Sequence, residues 1–357
     1  MRFVVVGNPG NRRVTLFTDA VRQAGLPPAK VLAWREILAG TCAVPTGSLV
    51  RVDSPGEDEH VDRMLRGQRA HPYRVDGSGP WYRGFAAGLQ RLGETVAGTP
   101  GARLLNDLDD IAVMFDKRRS HAVLAAAGCP VPPAISDVDG YSTLRTKMSE
   151  LGWTKVFLKP AHGSSASGVV ALTAHGSRVA ATTSVEVTPD GLMNCLRVRT
   201  YRDEQAVELV NRVCVDPVHV ERWFPKASLG GRTIDLRVVV IAGKATHAVV
   251  RASRHPITNL HLGGARVDVA ELRSVIGPAR WREWLDTCEL AAAQFSRTLM
   301  VGVDLLPGLG WRRHVIAEVN AFGDLLPRLE GLPDGVAAGM DTYAAQVAAC
   351  RGASWQM

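Results

Sequence analysis

The sequence predicts an α/β unit built on a small parallel sheet, followed by two α+β lobes in which antiparallel strands dominate. Three observations carry that expectation. The first hundred or so residues repeat a strand–helix–strand rhythm, and hairpin signals replace it further on. The length of 357 residues is two to three times that of an ordinary domain. With 46% hydrophobic and 22% charged residues, the composition is that of a globular chain rather than a disordered or membrane one.

The elements follow in order. Arg2–Gly7 reads as a buried strand, because its apolar run ends after a few residues in the Gly7-Asn8-Pro9-Gly10 turn, too soon for a signal sequence. That turn lacks the spacing of a dinucleotide fingerprint and reads as a plain strand-to-helix connection. A helix is expected at Thr15–Ala24, strands at Lys30–Trp34 and Ser48–Asp53 with a short helix between, then a charged segment Glu57–Arg69. From Asn106 the pattern changes. A helix over Asp116–Ala127 ends at Gly128, and Cys129-Pro130-Val131-Pro132-Pro133 forces an extended exit. A helix at Ser142–Leu151 precedes the strand Lys155–Lys159, a small-residue turn Gly163–Gly168 and the strand Val169–Leu172. Pro189-Asp190-Gly191 centres a further hairpin within Thr182–Thr200. A helix at Glu204–Cys214, strands near His219–Phe224, Asp235–Ile241 and Thr246–Ala252, a long helix Ala279–Phe295 and strands Met300–Leu306 and His314–Val319 complete the pattern.

No stretch approaches eighteen apolar residues, so no membrane span and no membrane partner are expected. The six cysteines are scattered without a C-x-x-C, which points to reduced thiols, a cytoplasmic location and no zinc site. Lys plus Arg exceed Asp plus Glu by 42 to 35, a surplus of +7 that suits an anionic small molecule and falls short of a nucleic-acid-binding surface. Only seven of those cations are Lys. Each Lys is therefore worth asking about, since a compact ammonium and a planar guanidinium do different work.

Three groups of residues carry chemistry. Asp304 closes one apolar strand, and Glu318 and Asn320 share a face at the end of the next. If the strands pair, two carboxylates and an amide oxygen converge, a hard-oxygen set suited to Mg²⁺ beside nucleotide phosphates, with Mn²⁺ as an alternative. A solvated polar face is the plainer explanation, but the surrounding apolar residues argue for burial, where unpaired carboxylates are disfavoured. Second, Phe157-Leu158-Lys159-Pro160 sets a Lys at the end of a strand, just before the Gly163-Ser164-Ser165-Ala166-Ser167-Gly168 loop. Such a loop can fold its N–H groups over phosphates, or can simply be a flexible turn. Third, Asp235 and Arg237 share one strand face, where they could form a surface salt bridge, and Arg251 ends the next apolar strand, where it needs an anion.

In this order the residues resemble the ATP-grasp superfamily, from about Asn106 to about Leu326. The carriers are Asn106; Asp116-Lys117; Phe157-Leu158-Lys159-Pro160 with its loop; Val220-Glu221-Arg222-Trp223-Phe224; Asp235-Leu236-Arg237; Arg251; Asn259 with Gly263-Gly264; Asp304; and Glu318-Val319-Asn320. The resemblance implies an ATP-grasp fold with a pre-grasp domain at residues 1–105 and two lobes, 106–218 and 219–357, clamping ATP. It implies that Lys117 and Lys159 contact the phosphates under the Gly163–Gly168 loop, with Ser164 and Ser165 as donors. Phe157 would line the adenine slot, and Glu221 with the segment Arg222, Trp223 and Phe224 would read the base. Asp235 would hold the ribose, with Arg237 and Asn259 nearby. Asp304, Glu318 and Asn320 would bind Mg²⁺, and Arg251 would steady the transferring phosphoryl group.

The activity so implied is ATP-dependent joining of a carboxylate to an amine through an acylphosphate, closest to enzymes that add amino acids to peptides or proteins. A kinase acting on a small-molecule hydroxyl is the alternative, and a non-catalytic nucleotide-binding protein a third. Substrates would be small molecules or peptides, and a homodimer is compatible with the chain. Ala321-Phe322-Gly323-Asp324 and the Arg222-Trp223 hinge depart from the family pattern and bear on the acceptor. His162, His255 and His261 lie near the expected cleft, while Trp281 and Trp284 are three apart on a helix and read as core.

Overall fold

The computed structural model describes all residues except 68–70, 72, 164–165, 259–263, 323–328 and 353–357. The first unit runs β1 (Arg2–Val6), α1 (Arg12–Gln23), β2 (Lys30–Leu32), α2 (Trp34–Ala39), β3 (Ser48–Val52), α3 (Glu59–Arg66), α4 (Ser78–Ala97) and β4 (Arg103–Leu104). Its four strands form a parallel sheet in the order β2-β1-β3-β4. Phe3, Val4, Val5 and Val6 are fully buried, with alternate residues entering cores on opposite faces, as expected of a parallel strand covered on both sides.

Helix α4, twenty residues long, is absent from the sequence expectation. Gly79, Gly84, Gly88 and Gly93 lie within it, and each is less favourable in a helix than Ala by roughly 1 kcal/mol. Close packing overrides that preference. A Cβ on Gly84 would stand 2.9 Å from the Leu65 carbonyl oxygen, and one on Gly88 3.0 Å from the Leu38 side chain. The glycines let α4 press against α3 and α2.

The middle unit comprises α5 (Leu108–Met114), α6 (Lys117–Ala126), β5 (Ala134–Ile135), α7 (Tyr141–Glu150), β6 (Lys155–Pro160), β7 (Val170–His175), β8 (Arg178–Thr188), β9 (Gly191–Arg202), α8 (Asp203–Val213) and β10 (Val218–Arg222). Its strands pair antiparallel in the order β5-β10-β6-β7-β8-β9. Both expected hairpins form. A piece of the first unit is laid along the edge strand β9: Val75 N–H donates to Leu192 O (2.8 Å), Asn194 N–H to Tyr73 O (2.6 Å), and Arg74 bridges Met193. Asp216 then caps α4, accepting from the N–H groups of Gly77 (2.6 Å), Ser78 (3.2 Å) and Gly79 (3.0 Å).

The last unit holds β11 (Ser228–Leu229), β12 (Arg232–Ile241), β13 (Lys244–Ser253), β14 (Ala265–Val267), α9 (Val269–Ile276), α10 (Pro278–Ala293), β15 (Met300–Pro307), β16 (His314–Asn320) and α11 (Thr342–Arg351). The sheet order is β14-β13-β12-β15-β16, with β11 paired to β12. The long helix expected from Ala279 is preceded by α9, because Gly277 (φ 78°) breaks the chain and Pro278 starts a new helix. Trp281 and Trp284 are buried, as the core reading of them expects.

One continuous core joins a face of the first sheet, α4 to α6 and the last sheet with α10, whereas the middle sheet with α7 and α8 has a core of its own. The middle lobe thus packs about a core separate from that of the first and last sheets. On the other face of the first sheet, Arg51 clasps the C-terminal helix. Its Nη1 lies 2.7 Å from Asp53 Oδ2, its Nε donates to Gln346 Oε1 (3.0 Å), and its guanidinium stacks over Phe17 and Tyr343. Among the described residues no helix is long and apolar enough to cross a membrane.

Candidate active site

On the last sheet the register does the assembling. Asp235 stands opposite Arg251, Arg237 opposite Asp304, and Asp304 opposite Glu318, with Asn320 opposite Gly302. Because Asp235 and Arg237 point to one face, their cross-strand neighbours arrive on that face too. The same-strand salt bridge is therefore replaced by cross-strand pairs. Arg251 Nε donates to Asp235 Oδ1 (2.6 Å) and its Nη2 lies 2.9 Å from Asp304 Oδ1; Arg237 forks onto Asp304 through Nε (2.5 Å) and Nη2 (2.9 Å). Burial pushes the Asp304 carboxyl up, but Arg237 and Arg251 outweigh it and hold the group at about 2. The same balance, burial against Asp235 and Asp304, raises Arg251 above the ordinary guanidinium value.

Glu318 reaches the other way, its Oε1 2.9 Å from Lys117 Nζ at the start of α6. Asn320 is half-buried, and its Nδ2 is buried without a hydrogen-bond partner among the described residues. Two carboxylates and an amide oxygen on adjacent strands fit a hard divalent cation in chemistry. In this structure each carboxylate is also engaged by a cation.

On the middle sheet β6 and β10 face each other with Phe157 opposite Glu221 and Lys159 opposite His219. Lys159 Nζ lies 2.5 Å from Glu221 Oε1. Burial favours the protonated Glu221, yet Lys159 and His219 hold it at about 2, and burial pushes the His219 imidazolium down. Lys159 thus takes one Glu221 oxygen, while the other, Oε2, lies 3.4 Å from His219 Nε2. Phe157 packs with Val169, Ala171 and Ile257 in a small apolar cluster, its ring 4.8 Å from that of Trp223. Ile257 follows β13, so this cluster draws side chains from both lobes. The side chains of Arg222 and Phe224 go elsewhere: Arg222 is exposed over Trp153, and Phe224 packs on Gly308.

Lys117 sits at the junction. Its backbone N–H donates to Ala161 O (2.9 Å) and its Nζ to Gly163 O (2.5 Å), the first residue of the small loop. At the far end Gly168 has φ 77°, and a Cβ there would lie 2.5 Å from Pro160 Cγ and 2.7 Å from Val75 Cγ1. Ser164, Ser165 and Asn259 fall outside the described residues.

Lys226 is the residue the sequence reading missed. It stands between β10 and β11, tied to Gly308 by an isolated bridge, and its Nζ donates to Thr258 Oγ1 (2.7 Å), whose hydroxyl in turn donates to Asp235. Burial, helped by the Arg251 guanidinium and opposed by the Asp235 carboxylate, brings its ammonium down to about 8. Among the described residues, Lys117, Lys159, Lys226, Arg237 and Arg251 thus interleave with Glu221, Asp235, Asp304 and Glu318.

No protein-family model and no curated protein matches the chain. Solved structures do. D-cycloserine synthetase DcsG superposes with a TM-score of 0.61 at 16% identity, covering 99% of this chain and 100% of that one. The ATP-grasp ligase PsnB, complexed with a minimal precursor, Mg and ADP, gives 0.55 at 17% identity over 99% and 97%. The macrocyclase MdnC from Microcystis aeruginosa MRC, bound with precursor peptide MdnA, gives 0.55 at 12% over 98% and 99%. The chain therefore has the ATP-grasp fold from end to end, its first sheet included.

Proposed function

We propose that the protein is an ATP-dependent ligase that joins a carboxylate to an amine and releases ADP and phosphate. The observation that carries this reading is the array of Lys117, Lys159, Lys226, Arg237 and Arg251 held among carboxylates at the junction of the lobes, on a fold shared with a ligase solved with Mg and ADP. Lys117 and Lys159 would meet the nucleotide phosphates, with the loop that starts at Gly163 above them. The Phe157, Val169, Ala171 and Ile257 slot would take the base, and Asp235 the ribose. Asp304, Glu318 and Asn320 would hold Mg²⁺, which supplies charge neutralisation at the phosphates when bound.

In the reaction a carboxylate oxygen takes the γ-phosphoryl group, the bond to the ADP oxygen breaks, and an acylphosphate forms. The amine then attacks the carbonyl carbon, loses a proton, and phosphate leaves. Arg251, buried and held charged by two aspartates, would neutralise the transferring group without reorganising at the moment of reaction. Lys226 would add a cation for an anionic substrate group. A closed loop would keep water from the acylphosphate. PsnB and MdnC are solved with precursor peptides, so peptide as well as small-molecule acids and amines are the substrates to screen.

Incubation with ATP, Mg²⁺ and paired pools of acids and amines tests the reading. ADP release that requires both pools, with a condensed product by mass, is the expected result. AMP with pyrophosphate would overturn it, and a stable phosphorylated product formed without an amine would make the protein a kinase.

A further inference from the structure

We propose that His162 is a positioning residue that fixes the root of the Gly163–Gly168 loop, and with it the Lys117 ammonium, in the arrangement that receives the nucleotide phosphates. The proposal rests on the nucleotide-binding role given above to Lys117 and the loop.

His162 side chain is 4% exposed. One face of its ring stacks on Tyr82 of α4, with centroids 4.0 Å apart and planes 10° from parallel. Its Nε2 lies 3.2 Å from Asp116 Oδ2. That carboxylate is the N-cap of α6, accepting from Arg118 N–H (3.0 Å), and it is forked by the Arg118 guanidinium at 3.0 and 2.6 Å. Burial raises the Asp116 carboxyl, but the bonds from His162 and Arg118 win and hold it well below the usual carboxylate range. Facing a permanent anion, Nε2 must be the nitrogen that carries the proton. Nδ1 is then left buried, with no hydrogen-bond partner among the described residues.

Packing alone does not explain a histidine here. Phenylalanine would stack on Tyr82 as well and would bury no orphaned nitrogen. What only the imidazole supplies is the bond to Asp116, and its neighbours show what that bond does. Asp116 precedes Lys117, and His162 precedes Gly163. The contacts Lys117 N–H to Ala161 O (2.9 Å), Asp116 to His162, and Lys117 Nζ to Gly163 O (2.5 Å) are three rungs between the N-terminus of α6 and the root of the loop. The middle rung is the one that also touches α4 of the first unit. It ties the phosphate-facing parts of the middle lobe to the body against which that lobe is packed.

The test compares His162→Phe, which keeps the stack and loses the bond, with His162→Gln, which returns an N–H toward Asp116. Asp116→Asn, which remains a good N-cap, probes the same bond from the other side. Mg-AMPPNP affinity by titration calorimetry, KM for ATP, kcat and thermal midpoint are measured for each. His162→Phe and Asp116→Asn are expected to weaken AMPPNP binding and raise KM for ATP about tenfold, the scale of one charge-assisted hydrogen bond, with kcat at saturation changed less than about threefold. His162→Gln should recover most of that loss. Wild-type affinity in a folded His162→Phe, or a His162→Gln no better than Phe, overturns the proposal. Failure of the wild-type protein itself to bind Mg-AMPPNP overturns the nucleotide reading on which it rests.

Discussion

Two of the places where charge is buried in this molecule are built differently. Arg51 and Asp53, 2% and 1% exposed, are one cation and one anion, closed off by Gln346 and by the rings of Phe17 and Tyr343. The junction of the lobes instead crosses strands, sets Asp304 between two guanidinium groups and links several cations and carboxylates into one network. A balanced, capped pair is architecture. A network in which carboxylates hold several cations in fixed directions suits the polyanionic nucleotide that the ligase reading proposes for it.

The strongest way to break the comparison is Asp304→Asn. On the ligase reading ADP release should fall by about 10²–10³-fold in protein that remains folded by circular dichroism, because a phosphate-side ligand and the anchor of two guanidinium groups are lost together. Arg51→Met should do the reverse. It leaves Asp53 buried and unpaired, at a cost of about 3–5 kcal/mol in denaturant unfolding, with turnover per folded molecule unchanged; adding Asp53→Leu should return most of that stability. Equal effects of the Asp304 and Arg51 variants on turnover per folded molecule would erase the distinction. Gly168→Ala is expected to cost about 2 kcal/mol, read as a lower denaturation midpoint, since φ 77° and a Cβ 2.5 Å from Pro160 are both unfavourable.

The smallest effect is in acid. Glu221 is held at about 2 against an ordinary 4.5, so its ionisation stabilises the fold fully above about 4.5 and ceases to do so as the pH falls toward 2. The stability gap between wild type and Glu221→Gln should therefore be wide at pH 7 and shrink on titration to pH 3. A gap that does not change with pH would remove Lys159 as the partner that holds this carboxylate ionised.

Much of this was legible in the sequence where one period governs. Alternation put Glu318 with Asn320 and Asp235 with Arg237, and strand pairing then brought Arg251 and Asp304 to them. What alternation cannot tell is which cation meets which anion. That is a matter of register, and Asp235 chose Arg251 over its own strand neighbour. Lys226 was hidden for another reason: Phe224-Pro225-Lys226 has no periodic context, and only the Gly308 bridge and the return of the chain at Thr258 carry its ammonium to Asp235. Helix α4 was hidden by its glycines, whose local preference is against a helix and whose tertiary use, the approach to Leu65 and Leu38, no local rule reveals.

The strip Tyr73–Val75 pairs with Leu192–Asn194 at one end of β9, which keeps that part of the sheet margin from pairing with another chain. Strand β9 spans twelve residues at the margin of its sheet, and an uncovered margin of that length is a template for the strands of other copies. The first unit covers one end of it from within the same molecule. A shortened chain beginning at Asn106 would keep every charged side chain of the proposed site, yet it would shed that cover together with the partner that Asp216 caps. Its expected fate is to stick to its own kind before any chemistry could be tested.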